Sequence, residues 1–381
     1  MIPRPLLTAV LLTGLALACP VRGELPRYSV TLVGDLYPGL TPPVEYPAGL
    51  TAAGGVVYSS ALPGQAYGIT LPGGGRTDIP RIPGAVGYGT TGGVQFYNAA
   101  GQFTASAYDN TFETNSTSLE PHAYTPGSGW STLGKPGGTN AIATAINISG
   151  QVIAAGLDAG NDEATAWRHT PGTGWQNLGN LGHSTGLARA ADINDAGTVA
   201  GWAANVNGDR VPFMYTDSGG MQPITDNGTE LFGEARAINN AGLVTGNANG
   251  RVFLFNAATM EIKYVTSTGN ALRAVDINES GAILGVSGSG SFGFVTLWTE
   301  EIGLVSLSSL LIGNEDPFHP AWLMNDAVDI NDNGWILGTA QQVSDNTFHQ
   351  VLLRPVPEPS AALLLCVGAV ITNRRLRRPT T

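Results

Sequence analysis

The chain has 381 residues, of which 52 are Gly, 24 are Pro and 12% are charged, and its formal net charge is −11. This composition is typical of a turn-rich globular body and excludes a long helical or disordered chain. The segments before residue 24 and after residue 360 hold six arginines and no acidic residue, so residues 24–360 carry a formal charge of −17. Because nucleic-acid binding needs a Lys/Arg-rich surface, no nucleic-acid partner is expected, and an anionic polymer would need bridging cations or a local basic patch.

Residues 1–23 have the order of parts found in a secretory signal peptide. Arg4 precedes an apolar stretch from Leu6 to Ala18, and small residues suited to a peptidase follow, with cleavage after Ala18 or Gly23. The stretch of about 13 apolar residues is shorter than the roughly 20 that a transmembrane helix needs. We therefore predict export and removal of this segment. Lipid attachment at Cys19 is an open alternative.

Residues 355–381 form a second targeting segment. Pro357, Glu358 and Pro359 are followed by an apolar run over residues 361–372 and by an arginine cluster. In this order of parts the tail resembles the PEP-CTERM sorting domains of Gram-negative and related bacteria that make extracellular polysaccharide. The resemblance implies export to the cell surface or extracellular matrix, and transient anchoring through the apolar run with the arginines on the cytoplasmic side. It also implies an exosortase-type sorting enzyme as a partner, with processing near Pro359.

The cysteines are confined to the two terminal segments. Cys19 lies in the predicted signal peptide and Cys366 in the sorting tail. A body trimmed at both ends would hold no disulfide although it is exported, so its stability must come from packing.

One phrase recurs through the body: an apolar residue, Asn, two variable residues and Gly. Clear copies are Ile146-Asn147 with Gly150, Ile193-Asn194 with Gly197, Ile238-Asn239 with Gly242, Ile277-Asn278 with Gly281, and Ile330-Asn331 with Gly334; degenerate copies are Tyr97-Asn98 with Gly101 and Leu50-Thr51 with Gly54. From Gly54 to Gly334 the steps are 47, 49, 47, 45, 39 and 53 residues. A period of this length indicates a repeat architecture.

Each unit reads as four short strands with apolar and polar residues alternating. The first strand ends on Ile-Asn, as in Ala188–Ile193, and the Asn-x-x-Gly turn suits a hairpin in which Asn bonds its own backbone. Four strands in 40–50 residues match a β-propeller blade. We predict an all-β propeller over residues 24–354 with about seven blades, six or eight being alternatives. The strand Tyr28–Gly34 is predicted to complete the last blade beside Val351–Leu353 and close the ring.

The repeat resembles the extracellular HAF-type repeats of bacterial secreted proteins. Their units carry a Leu-Gly segment, an Ile-Asn-x-x-Gly turn and a His-Ala-Phe-like strand, and the match covers most of residues 28–354. Pro121-His122-Ala123-Tyr124 keeps the last element best, whereas residues 164–167 depart from it. The resemblance implies a surface or matrix location and no established chemistry.

Two motifs suggest chemistry that their context does not favour. Gly182-His183-Ser184-Thr185-Gly186 matches a serine-hydrolase elbow, but no helical pattern follows it, so a loop is the preferred interpretation. Asp329, Asn331 and Asn333 resemble the start of a calcium-binding loop, but Ala340 stands where such loops place a bidentate Glu. They remain weak calcium candidates, and no other cofactor is expected.

The histidines and tryptophans give little sign of a site. His122, His169, His183, His319 and His349 lie in different units without metal-binding spacing. Trp130 and Trp175 occupy equivalent repeat positions and are expected in the core. The less regular Trp202, Trp322 and Trp335 are better candidates for a surface role.

The favoured hypothesis is a non-enzymatic surface propeller whose loops bind a polysaccharide or a protein. The alternative is a glycoside hydrolase or lyase, which would need carboxylates converging at the central channel. In that case such carboxylates are expected at loop positions that break the repeat, such as Asp226, Glu230 and Asp316. A structural matrix protein without a specific ligand is the third hypothesis.

Overall fold

A computed structural model describes residues 25–33, 45–60, 65–70, 75–83, 88–89, 96–109, 118–157, 163–267, 271–287, 294–316 and 318–356. Regular structure in these ranges is almost entirely β-strand, with short 3-10 helices at Pro136–Gly138 and Leu307–Leu310. No helix within them is long and apolar enough to cross a membrane. The predicted signal peptide and the Pro357, Glu358 and Pro359 motif lie outside the described residues.

Seven antiparallel four-stranded sheets form the blades of a β-propeller, which confirms the predicted fold and blade number. Blades 1 to 3 are β2 (Glu45–Leu50), β3 (Val56–Ser60), β4 (Gln65–Thr70) and β5 (Arg76–Pro80); β6 (Tyr88–Gly89), β7 (Phe103–Asp109), β8 (Ser118–Thr125) and β9 (Gly129–Thr132); and β10 (Ala141–Ile146), β11 (Val152–Leu157), β12 (Glu163–Thr170) and β13 (Gly174–Asn177).

Blades 4 to 6 follow the same order, and a hairpin separates the fourth from the fifth. Their strands are β14 (Ala188–Ile193), β15 (Val199–Ala204), β16 (Arg210–Thr216) and β17 (Gly220–Pro223); β20 (Gly233–Ile238), β21 (Leu243–Ala248), β22 (Arg251–Asn256) and β23 (Glu261–Tyr264); and β24 (Leu272–Ile277), β25 (Ile283–Ser287), β26 (Phe294–Thr299) and β27 (Gly303–Ser306). The hairpin is β18 (Thr225–Asp226) with β19 (Thr229–Glu230). Each blade therefore begins with its innermost strand and ends with its outermost.

The seventh blade joins the two ends of the body, as predicted. It contains β28 (Trp322–Ile330), β29 (Ile336–Gln342), β30 (Thr347–Val356) and, as its outer strand, β1 (Arg27–Leu32). β1 runs antiparallel to β30, with Val30 opposite Leu353. β30 ends at Val356, two residues beyond the predicted domain boundary at 354. The N-terminal strand thus closes the ring and covers the edge of β30.

The core lies between neighbouring blades, whose sheets pack face to face. The second strands β11 and β15 are buried at every position and are rich in Ala and Gly. Small residues are needed because the sheets and strands approach closely. A Cβ on Gly201, for example, would lie 2.0 Å from the carbonyl oxygen of Arg189. The aromatic third strands supply the larger core side chains, such as the fully buried Phe213 and Phe253.

The repeated asparagine stabilises both its own hairpin and the next blade. Asn194 Oδ1 accepts a hydrogen bond from the backbone N–H of Thr198 at 3.0 Å, as the turn prediction requires. Asn194 Nδ2 donates to the backbone carbonyl of Asn239, the equivalent residue of the next blade, at 3.1 Å. The same cross-blade bond links Asn98 to Asn147, Asn147 to Asn194, Asn239 to Asn278, Asn278 to Asn331, and Asn331 to Thr51. We call these seven residues the asparagine ring.

Two substitutions of Asn194 distinguish the contributions of its two hydrogen bonds to stability. Asn194→Ala removes both and leaves buried partners unpaired, so we expect the free energy of unfolding to fall by about 2 kcal/mol. Asn194→Thr copies blade 1, where Thr51 Oγ1 caps its own turn by accepting from the N–H of Gly55 at 2.7 Å. It should lose about half as much, because only the cross-blade bond is removed. Urea unfolding measures both, and a threonine variant as stable as the natural chain would show that the cross-blade bond contributes nothing.

Candidate functional site

The asparagine ring surrounds an open cavity of about 490 Å³ at one mouth of the central channel. We call this side of the propeller the turn face. The cavity wall is built from the apolar residues that precede the ring positions, namely Leu50, Ile146, Ile193, Ile238, Ile277 and Ile330. Its volume lies in the range of small-molecule binding sites. The repeat therefore provides an apolar wall, with polar turns above it.

A pair of carboxyl groups lies deep in this cavity, on the inner strands of blades 6 and 7. Asp276 and Asp329 hydrogen-bond to each other through their side chains. The Tyr97 hydroxyl lies 3.0 Å from Asp329 Oδ2 and also bonds to the Leu50 carbonyl oxygen. The backbone N–H of Leu50 donates to Asp329 Oδ2 at 2.6 Å, and that of Ile330 donates to Asp276 Oδ2 at 3.1 Å. These bonds connect blades 1, 2, 6 and 7 around the channel.

Burial dominates the electrostatics of this pair. It raises the pKa of Asp276 well above its usual 3.8, and the neighbouring Asp329 carboxylate raises it further. Burial also raises the pKa of Asp329, and burial together with Asp329 raises the pKa of Tyr97 well above 10.0. A charged carboxylate is costly in such a site. Burial therefore favours the protonated form of this pair.

Asp192 makes the same connection between blades 4 and 5. Its Oδ2 accepts a hydrogen bond from the backbone N–H of Ile238 at 2.8 Å. Burial raises the pKa of Asp192 to about 7. Blades 3 and 5 have Ala145 and Ala237 at the equivalent position. Asp192, Asp276 and Asp329 thus share one structural role, in which a buried carboxyl joins its blade to a neighbouring blade.

A β-bulge determines where these carboxyl groups point. In β14 the register shifts between Ala190 and Asp192, and in β24 it shifts between Ala274 and Asp276. A bulge places one extra residue in a strand and re-aims the side chain that follows. The inner strand of each of these blades can therefore direct a carboxyl group towards the backbone of another blade.

The weak calcium candidates are engaged in protein contacts. Asp329 belongs to the buried pair, and Asn331 belongs to the asparagine ring. Asn333 Nδ2 donates to the Ala52 carbonyl oxygen at 2.8 Å. Among the described residues no group of three or more His, Cys, Asp or Glu side chains could hold a metal ion. The three residues therefore act as parts of a blade connection and a hairpin turn.

The structure brings different carboxyl groups to the channel from those expected from the sequence. Asp226 and Glu230 lie on the β18–β19 hairpin, where Asp226 accepts from the Tyr264 hydroxyl and Glu230 from Asn205. Asp316 lies in the separate connection between β27 and β28. The converging carboxyls instead occupy repeated Asp-Ile-Asn positions, a signal that was visible in the sequence.

The remaining sequence candidates lie at the periphery or between blades. Residues 182–186 lie in the connection between β13 and β14, where the backbone N–H of Gly186 donates to the His183 carbonyl oxygen, and a strand rather than a helix follows. Trp130 and Trp175 are half-buried, and their indole N–H groups donate to carbonyl oxygens of the preceding blade. The expected surface role of Trp202 is wrong, because this residue is only 4% exposed.

Comparison with known protein families and with curated proteins found no match. Comparison with solved structures found distant likenesses. A chain from the mitotic checkpoint complex is 12% identical with a TM-score of 0.46, over 90% of this chain and 98% of that one. An oligogalacturonate lyase in complex with manganese is 13% identical with a TM-score of 0.48, over 82% and 89%. A prolyl endopeptidase is 12% identical with a TM-score of 0.46, and the match spans 87% of this chain and about half, 51%, of that one. The fold assignment rests on the strand pairings rather than on these likenesses.

Proposed function

We propose that this protein is a non-enzymatic binding propeller, exported to the cell surface or the exopolysaccharide matrix, that holds its ligand in the turn-face cavity. The predicted signal peptide and the PEP-CTERM-like tail support the location and a sorting enzyme as partner. The observation that carries the binding role is the cavity of about 490 Å³ at the channel mouth. A polysaccharide is the preferred ligand and a surface protein the alternative.

The contacts of the buried carboxyls support a structural role rather than catalysis. Both oxygens of Asp276 accept backbone N–H groups, from Ile277 at 2.8 Å and from Ile330 at 3.1 Å. A catalytic carboxyl must instead face the substrate and exchange a proton with it. Their recurrence in three blades fits a role in joining the blades.

A carbohydrate-active enzyme is the second candidate, because the Asp276 and Asp329 pair lies in the cavity wall. Glycoside hydrolysis uses two carboxyl groups, one of which is protonated. In this alternative the same cavity would bind and cleave the polysaccharide, and soluble fragments would appear.

Co-sedimentation of the purified full chain with the producing organism's extracellular polysaccharide tests the proposal. We expect saturable binding that is equal in calcium and in chelator, without release of soluble fragments. Fragment release would favour the enzyme, and loss of binding in chelator would restore calcium at Asp329, Asn331 and Asn333. No sedimentation in either buffer would overturn polysaccharide binding and leave a protein partner or a purely structural role.

A further inference from the structure

The residue that follows each ring position forms a rim around the cavity mouth. The rim consists of Ala52, Ala99, Ile148, Asp195, Asn240, Glu279 and Asp332 in blades 1 to 7. In blades 3 to 6, the backbone N–H of each rim residue donates to the side chain of the rim residue in the next blade. These bonds run from Ile148 to Asp195 at 3.0 Å, Asp195 to Asn240 at 2.8 Å, Asn240 to Glu279 at 3.0 Å, and Glu279 to Asp332 at 3.0 Å.

This chain of bonds stops where the rim becomes apolar. No hydrogen-bond acceptor is present in the side chains of Ala52, Ala99 and Ile148. The backbone N–H group of the preceding rim residue therefore has no side-chain acceptor at these three positions. Within the described part of the chain, the backbone N–H groups of Asp332, Ala52 and Ala99 donate to no protein atom. Ala52, Ala99 and Asp332 are exposed at the mouth. One arc of the rim therefore offers three N–H donors, and at Ala52 and Ala99 it leaves the space that longer side chains fill elsewhere.

The other arc, which begins at the side chain of Asp332, offers acceptors. Asp195, Glu279 and Asp332 carry carboxylates, and Asn240 carries an amide oxygen. Each carboxylate oxygen that accepts a backbone N–H keeps a further lone pair for a donor from the cavity. A ligand that fits both arcs must present acceptors on one side and donors on the other, with an apolar surface against the isoleucine wall. An anion would meet three carboxylates, and a simple cation would leave the three N–H groups unpaired.

We propose that the cavity binds a neutral sugar residue at the end or in a loop of a glycan. Its hydroxyl and ring oxygens accept from the N–H groups of Asp332, Ala52 and Ala99. Its hydroxyl protons are donated to the acidic arc, and its C–H surface packs on the isoleucine wall. This inference rests on the proposed glycan-binding function and names its ligand class and orientation.

Ala99→Asp tests the open arc with a residue that the protein already uses there. It copies Asp195 and Asp332 at the equivalent positions, so the turn accommodates it, and its carboxylate should accept the N–H of Ala52 and fill the space. The control is Ala258→Asp, which adds the same charge at an exposed position of the β22–β23 turn outside the cavity wall. Saturation-transfer NMR with the full chain would use glucose, galactose, mannose and N-acetylglucosamine, with glucuronate as the anionic comparison.

We expect at least one neutral sugar to bind and to compete with polysaccharide sedimentation, and Ala99→Asp to weaken it by about tenfold or more. Ala258→Asp should leave binding unchanged. If both variants bound the neutral sugar equally well, or if glucuronate bound more tightly than the neutral sugars, the neutral-sugar site would be wrong. The proposed function would still stand in that case, provided that the unmodified chain sedimented with the polysaccharide. Absence of sedimentation by the unmodified chain would remove the proposed function and this inference together.

Discussion

Deletion of Arg27–Leu32 from the full chain is expected to destabilise the propeller by more than about 5 kcal/mol and to cause self-association. β1 pairs with β30 at six successive positions and is the outer strand of the blade that joins both ends of the body. Tyr28 is only 3% exposed and packs in the core shared by blades 6 and 7. Truncating a large buried side chain alone costs about 3–5 kcal/mol. Removing the strand also exposes the edge of β30, which can then pair with another chain.

Two substitutions within β1 separate packing from edge exposure. Tyr28→Ala should lower the free energy of unfolding by about 3 kcal/mol without association, because the strand still covers β30. Leu32→Ala, at a position that is 51% exposed, should change it by less than about 0.5 kcal/mol. Urea unfolding and light scattering measure both properties. A deletion variant that remained dispersed and as stable as the natural chain would show that β1 does not close the ring.

The blade architecture was predictable because each blade repeats the same local chemistry. Asn194 and Gly197 are three residues apart and favour a turn through local bonds, so the turn could be inferred from their spacing. The closing strand was also predictable, since the last unit lacked an outer strand and the N-terminal segment had the matching pattern. What spacing could not show is the second bond of Asn194, because its partner Asn239 lies in another blade.

The candidate site depended on contacts that sequence spacing does not contain. Their spacing made Asp329, Asn331 and Asn333 weak calcium candidates, because alternate residues of a calcium-binding loop coordinate the same ion. In the folded chain a β-bulge lies between Ala327 and Asp329, on the side of Asp329 away from the turn, and re-aims this side chain. Its partner is the N–H of Leu50, which lies 279 residues away. Trp202 was misjudged for a similar reason, since only ring formation brings the adjacent blade over its strand.

The stability of the protein is expected to fall between about pH 4 and pH 8 because of its buried carboxyls. The pKa of Asp192 rises from 3.8 to about 7 on folding, since burial disfavours the charged form. The folded state then binds the proton more tightly than the unfolded chain. The stabilisation is complete below pH 3.8 and is lost as the pH rises through about 7. A shift of this size corresponds to about 4 kcal/mol, and Asp276 and Asp329 shift in the same direction.

Asp192→Ala isolates this contribution, since Ala145 and Ala237 already occupy the equivalent position in blades 3 and 5. At pH 4 the variant should be less stable than the natural chain by about 2 kcal/mol, because the buried N–H of Ile238 loses its acceptor. At pH 8 the difference should vanish or reverse, because the natural chain then bears the cost of a buried charge. Urea unfolding at several values from pH 4 to pH 8 gives the slope of the free energy of unfolding against pH for the natural chain and for the variant. Asp209→Ala, which removes an exposed carboxylate of the β15–β16 turn, should keep the natural slope. If Asp192→Ala kept it as well, the slope would have to arise from other groups such as Asp276 and Asp329, and Asp192 would be a neutral connector throughout this range.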